Sequence, residues 1–172
     1  MTTVETPQAF KDIEVPYCGA VYPGPKLREG CSTALCLFSA MWLGRQDVYW
    51  LAKAGLTGTC VDLDGERLAQ MEAVYPDGWE FVTADVFDYV RDQTRTWDLV
   101  TLDPWSGQFE RCAEMLPVWT SLANRVVVLG HGNYRLREPE PPDGWSLAHR
   151  FKRSDFKGGV YWLVFTKAPQ PE

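Results

Sequence analysis

Basic charge is scarce in this sequence: 17 Lys and Arg stand against 23 Asp and Glu in 172 residues, a net charge of −6. Coating DNA through charge alone needs a basic face that releases counterions, so that class is excluded and only a local basic patch stays open. Long apolar runs are missing too. The longest uncharged stretch, Gly30 to Gly44, includes Ser, Thr and two Cys. It falls short of the ~20 apolar residues a membrane span needs, so no transmembrane helix is expected. Met1 to Phe10 has no apolar core of the kind a signal peptide carries, and none is expected. No Cys-x-x-Cys pair occurs. Cys18, Cys31, Cys36, Cys60 and Cys112 form an odd set that reads as reduced thiols of a cytoplasmic protein rather than as a disulfide frame or a zinc site. No metal-ligand spacing is present. His131 and His149 are the only histidines, which leaves no defensible Ser–His–Asp order. What is present is ordinary for one folded domain: 45% hydrophobic and 23% charged residues exclude disorder, collagen-like repeats and coiled coil.

Residues 1–30 are rich in Pro and Gly and read as an extended N-terminal arm, with one short strand around Ile13–Val15. Residues 169–172 read as a frayed tail. Between them, over 31–168, short apolar runs alternate with helical periods. Ala34–Ser39 suits a buried strand, with a helix over Thr33–Trp42 as its rival. Arg45–Ala54 reads as a helix stopped by Gly55, Thr57–Asp62 as a strand, and Glu66–Tyr75 as a helix ended by Pro76-Asp77-Gly78. Trp79–Thr83 is the next strand, followed by a short helix over Phe87–Arg91 and a strand over Trp97–Leu102. Gln108–Ala123 is an amphipathic helix interrupted by Pro117. Arg125–Leu129, with three successive valines, suits a strand covered on both faces. Trp145–Phe151 and Val160–Thr166 flank a long loop as an antiparallel hairpin. The pattern predicts an α/β fold: one mostly parallel sheet, helices on both faces, and a C-terminal antiparallel hairpin.

In such a sheet the strand ends share one edge, so Asp62, Asp85 and Asp103 should face the same crevice. Asp62, about 20 residues past the first turn, is placed to accept hydrogen bonds from a ribose diol. Asp64 reads as the cap of the following helix. Asp85 suits either an exocyclic amine such as that of adenine or a cap on the short helix behind it. In Asp103-Pro104-Trp105 the proline stops the strand, while a carboxylate, a carbonyl and an indole together suit a planar group bearing an amine. The competing reading is a strand–turn junction with a core tryptophan. His131, between two glycines, reads more readily as an exposed turn residue than as a general base. The basic run His149-Arg150-Phe151-Lys152-Arg153 with Lys157 reads more readily as a solvated hairpin tip than as a guide for an anionic substrate.

The sequence Val61-Asp62-Leu63-Asp64, then Ala84-Asp85-Val86, then Leu102-Asp103-Pro104-Trp105 resembles the strand ends of class I S-adenosylmethionine-dependent methyltransferases. The resemblance runs from about Ala34 to Lys167 and implies a Rossmann-like domain over 31–168. It implies that Asp62 holds the ribose hydroxyls and Asp85 the adenine amine, with Leu63 and Val86 also in the cofactor site and S-adenosylmethionine as the cofactor. Asp103-Pro104-Trp105 is similar to the Asp-Pro-Pro-aromatic motif of amino-directed nucleic-acid methyltransferases, with one proline missing. By that likeness these three residues are catalytic, and the acceptor is a nitrogen in a nucleic-acid base or a small amine. The family's glycine-rich first turn falls on Ser39-Ala40-Met41-Trp42-Leu43-Gly44, where Ser39 and Gly44 are the small residues at its ends. The bulky Met41, Trp42 and Leu43 motivate a second reading: a methyltransferase-like chain without catalysis that binds another protein, where aromatic anchors concentrate binding energy.

Overall fold

The computed structural model describes residues 29–40, 47–104, 107–131, 137–152 and 161–168. The N-terminal arm with its expected strand around Ile13–Val15, and the tail from Pro169, lie outside the described residues. Strand β1 (Thr33–Leu37) settles the first ambiguity against a helix over Thr33–Trp42. Ala34 and Cys36 enter one core while Leu35 and Leu37 enter the other, all at 0% exposure. Only the twofold alternation of a strand buries four successive side chains in two opposite layers.

Helix α1 (Asp47–Lys53) follows, with an acid in its first turn and a base in its last, as the helix dipole favours. Gly55 at φ +83° turns the chain out of it, in a conformation that glycine alone reaches without a Cβ penalty. Strand β2 (Thr57–Asp62) leads to α2 (Gly65–Glu72), where the Asp64 side chain accepts the Arg67 N–H as the expected cap. This helix is shorter than its apolar pattern predicts. Tyr75 precedes Pro76, whose ring disfavours helical geometry at the preceding residue. The chain therefore tightens into a turn in which the Val74 and Tyr75 N–H groups both donate to the Met71 carbonyl.

Strand β3 (Trp79–Thr83), helix α3 (Val86–Arg91) and strand β4 (Trp97–Leu102) follow in the expected order. The expected interruption near Pro117 divides two helices, α4 (Phe109–Glu114) and α5 (Leu116–Leu122), with the proline in the first turn of the second. Strand β5 (Ala123–His131) is longer than Arg125–Leu129, because its far end is paired by the returning strand: Gly130 lies opposite Trp162 and His131 opposite Tyr161. The antiparallel hairpin is β6 (Trp145–Lys152) with β7 (Tyr161–Lys167).

Among the described residues seven strands form one sheet in the order β3-β2-β1-β4-β5-β7-β6, parallel from β1 to β5 and closed by the antiparallel pair. One face packs Cys36, Cys60, Leu99 and Val128 against Val48 and Leu51 of α1 and Leu68 and Met71 of α2. The other packs Leu37, Val61, Val100 and Val127 against Phe87 of α3, Cys112 of α4 and Trp119 of α5. The strand order reverses between β1 and β4, and ligands of open α/β sheets bind beyond the carboxyl ends of the strands at such a point. Among the described residues no helix is long and apolar enough to cross a membrane.

Candidate active site at the carboxyl edge of the sheet

Asp62 closes β2 as a half-buried carboxylate with work on both oxygens. Oδ2 accepts the Ala40 N–H at 3.0 Å and Oδ1 the Asp64 N–H at 3.0 Å. The side chain thus clasps the loop after β1 to the loop after β2. The Ala40 carbonyl accepts from Arg67 Nη1 at 3.3 Å, and Arg67 in turn pairs with Asp64 at 3.1 Å. Beside Asp62, Leu63 is 66% exposed, an apolar side chain left outside both cores. Ser39 is buried, and its hydroxyl donates to the Leu37 carbonyl at 3.2 Å. Gly44, with Met41 to Leu43, lies outside the described residues.

Phe38 is the feature of the first turn that sequence reasoning missed. It adopts φ +59°, the left-handed region in which non-glycine residues are uncommon. Its N–H donates to the Val61 carbonyl at 3.1 Å, and its ring meets Phe87 edge-on at 5.5 Å between centroids. The backbone conformation that a glycine-rich turn supplies is held here by a large residue whose ring is anchored in the core. No local pattern in Leu37-Phe38-Ser39 announces it.

Asp85 caps α3: its Oδ1 accepts the Phe87 N–H at 2.8 Å and the Asp88 N–H at 3.1 Å. The cap reading is therefore correct, and it engages one oxygen of the two. Val86 is buried in the sheet–helix core at 2% exposure. Ala84, before the cap, donates its N–H to the Asp62 carbonyl at 2.9 Å, which joins the ends of β2 and β3.

On the other side of the reversal point, the Asp103 N–H donates to the Leu37 carbonyl at 3.1 Å. Pro104 is buried, and Trp105 lies outside the described residues. Gly130 of β5 explains how closely the chains approach here. A Cβ built on it would stand 3.1 Å from the Leu102 carbonyl oxygen, 3.2 Å from Pro104 Cδ and 3.3 Å from Trp162. His131, next along β5, corrects the expectation of an exposed turn residue: it is 2% exposed, because strand pairing with β7 draws it into the sheet. Its Nε2 lies 3.3 Å from the Arg137 carbonyl. It borders a cavity of about 530 Å³ whose apolar wall includes Leu116 and Pro117. His149 and Arg150 are exposed on β6, where Arg150 pairs with Glu138 at 2.7 Å; the rest of the basic run from Arg153 onward is outside the described residues.

Beneath the edge, the Thr101 hydroxyl donates to the Asp47 carboxylate, both residues being buried. Burial pushes the Cys36 and Cys60 thiols well above their ordinary range, and the Cys112 thiol to about 12. None of these three is a thiolate nucleophile at neutral pH. Among the described residues no group of His, Cys, Asp or Glu is arranged to hold a metal ion.

No protein-family model matches the chain. No curated protein matches it either. Solved structures do. The Escherichia coli protein yhhF, described as a methyltransferase, superposes with a TM-score of 0.62 at 15% identity over 92% of each chain. An O-methyltransferase from Bacillus cereus, solved with SAH, gives 0.61 at 12% identity over 81% of this chain and 75% of that one. TrmN from Thermus thermophilus gives 0.61 at 18% identity over 83% of this chain and 46% of that one. At these identities the likeness is one of fold: the chain has the Rossmann-like fold of class I methyltransferases.

Proposed function

We propose that the chain is an S-adenosylmethionine-dependent methyltransferase acting on a nitrogen acceptor. The observation that carries the reading is Asp62, a carboxylate at the end of β2 and at the reversal-point edge, with exposed Leu63 beside it. An ionised carboxylate offers about four lone-pair positions. Two backbone N–H groups occupy two of them, so the ribose hydroxyls would donate to the rest. Leu63 would cover one face of the adenine, and the second oxygen of Asp85 would accept its amine. When bound, S-adenosylmethionine supplies an electrophilic methyl group on a sulfonium sulfur.

The remaining work is positioning, which a small domain achieves without a metal. Asp103 and the Pro104 carbonyl would accept N–H bonds from the acceptor and hold its lone pair in line, with Trp105 stacking on it. The three buried thiols fit the reducing cytoplasm. Calorimetric titration with S-adenosylmethionine and S-adenosylhomocysteine tests the reading. Micromolar binding that Asp62→Ala removes supports it. No heat at millimolar ligand, from protein shown to be folded, refutes it and favours the catalytically silent, partner-binding alternative.

A further inference from the structure

The helices that cover the second core leave a cavity of about 440 Å³ between α3 and the junction of α4 with α5. None of the residues proposed for cofactor or acceptor lines it. Its walls are apolar: Phe87 and Val90 come from α3, and Met115, Val118 and Leu122 from the α4–α5 side. Counted from Arg111, those last three fall at i+4, i+7 and i+11, the spacing of a single helical face. The cavity is of a size to enclose one small organic molecule.

The charge at this cavity is of one sign. Arg91 and Arg111 line it and no carboxylate does, in a chain whose net charge is −6. Arg91 is bonded to Asp88 at 2.5 Å, so its charge is compensated at the surface. Arg111 makes no ion pair among the described residues.

The setting of Arg111 supplies the second observation. Its guanidinium carbon lies 3.6 Å from the centroid of the Phe87 ring. Such a stack occupies the flat face of the guanidinium, while its N–H donors lie in the plane and remain for a carboxylate. It also fixes the long side chain beforehand, so less freedom is lost when an anion is bound. Packing over Phe87 does not itself call for a charge, since an aliphatic side chain would cover the ring as well.

We propose that this cavity binds a small aliphatic monocarboxylate, with its alkyl chain laid on Val90, Met115, Val118 and Leu122 and its carboxylate on the in-plane N–H groups of Arg111. One uncompensated cation calls for a single negative charge. Walls that are aliphatic beyond Phe87 favour an alkyl chain over a polar body. The site does not depend on the methyltransferase reading, and either can fail without the other.

The test is calorimetric titration of the full chain with four probes: octanoate, octylammonium of the same length and opposite charge, 1-octanol without charge, and acetate without the chain. Octanoate should bind saturably and more weakly as salt is raised. Octanol should bind about tenfold more weakly, and octylammonium and acetate not at all. Arg111→Gln, at an exposed position, should bring octanoate down to the affinity of octanol and leave octanol unchanged. Val118→Trp fills the cavity and should remove both, with thermal unfolding confirming that the variant is folded. Absence of saturable octanoate binding, equal affinity for octanoate and octylammonium, or octanoate affinity in Arg111→Gln within about twofold of the parent would overturn the proposal. An equal loss of octanoate and octanol in Arg111→Gln would also overturn it, since that is what a purely structural arginine predicts.

Discussion

Asp85→Asn separates two jobs that fall to one side chain. The structural job is the cap on α3, and it is done by Oδ1 alone, which accepts both N–H bonds at 2.8 and 3.1 Å. An asparagine side-chain oxygen caps about as well as an aspartate one. The variant therefore loses only the interaction of the negative charge with the helix dipole, about 0.3–1 kcal/mol. For a chain of this size that lowers the melting temperature by at most about 4 °C. The proposed binding job falls to the other oxygen. In the variant that position carries an NH₂ group, which meets the adenine amine donor to donor. Losing a hydrogen bond to an ionised acceptor costs about 1.5–3 kcal/mol, or about a 10- to 150-fold loss of affinity. Calorimetry with S-adenosylhomocysteine beside thermal unfolding reads both quantities. Asp85→Ala is the control in the opposite sense, since it also removes the cap at about 1 kcal/mol. S-adenosylhomocysteine affinity in Asp85→Asn within about threefold of the parent chain would show that Asp85 is a cap and nothing more.

Two stability predictions follow from contacts far from the crevice. A Cβ at Gly58 would sit 1.9 Å from the Ala34 carbonyl oxygen in the middle of the β1–β2 ladder; Gly58→Ala should cost at least the ~1–3 kcal/mol of an overpacked core, and a melting temperature within about 1 °C of the parent would contradict the geometry. Burial opposes the charge on Asp98, but hydrogen bonds from the N–H and hydroxyl of Ser32, from Thr33 and from Asn124 outweigh it and hold the carboxyl below its usual range. A carboxyl lowered by folding contributes stability in full above its unfolded value, near 3.9, and loses it as pH falls through the folded value. The unfolding free energies of the parent and Asp98→Asn should therefore differ at pH 7 and converge below about pH 4; a constant difference across that range would refute the assignment.

The strands β2, β3 and β4 were legible residue for residue, because each is a short apolar or β-branched run bounded by glycine, proline or aspartate. What escaped was set by distant partners. Gly130 and His131 look like loop because glycines flank the histidine, yet β7 recruits both into the sheet. Asp47 reads as an ordinary first-turn acid of a helix, and its partner Thr101 is 54 residues away. Asp98 reads as the polar interruption of an apolar strand, and it is the bracket that holds Ser32 and Thr33 from 66 and 65 residues off. The three strand-end acids were legible as a set, since topology alone carries them to one edge. That Asp85 is a cap through one oxygen, and that Asp62 already accepts two backbone donors, depends on loop geometry that no spacing encodes.

The edge itself is built so that its acids can be changed without loosening the sheet. Past the last ladder pairs, each strand end is bonded to a neighbour through backbone groups: Phe38 to Val61, Ala84 to Asp62, and Asp103 to Leu37, at 3.1, 2.9 and 3.1 Å. These bonds run β1 to β2, β2 to β3 and β1 to β4, so the proposed cofactor side of the edge is fixed by main chain as well as by the Asp62 carboxylate. The side chain of Asp62 is the exception, since it holds the Ala40 loop. On the β4–β5 side no equivalent backbone bond ties the two strands beyond Leu102 among the described residues. There the separation is set by contact, with Pro104 closed against Gly130. A side chain at Gly130 would therefore crowd the Leu102 carbonyl, Pro104 and Trp162, none of which touches Asp62 or Asp85 through a hydrogen bond described above. If the proposed function holds, its two halves can fail independently, and cofactor affinity and acceptor affinity have to be measured separately to see which half a substitution has reached.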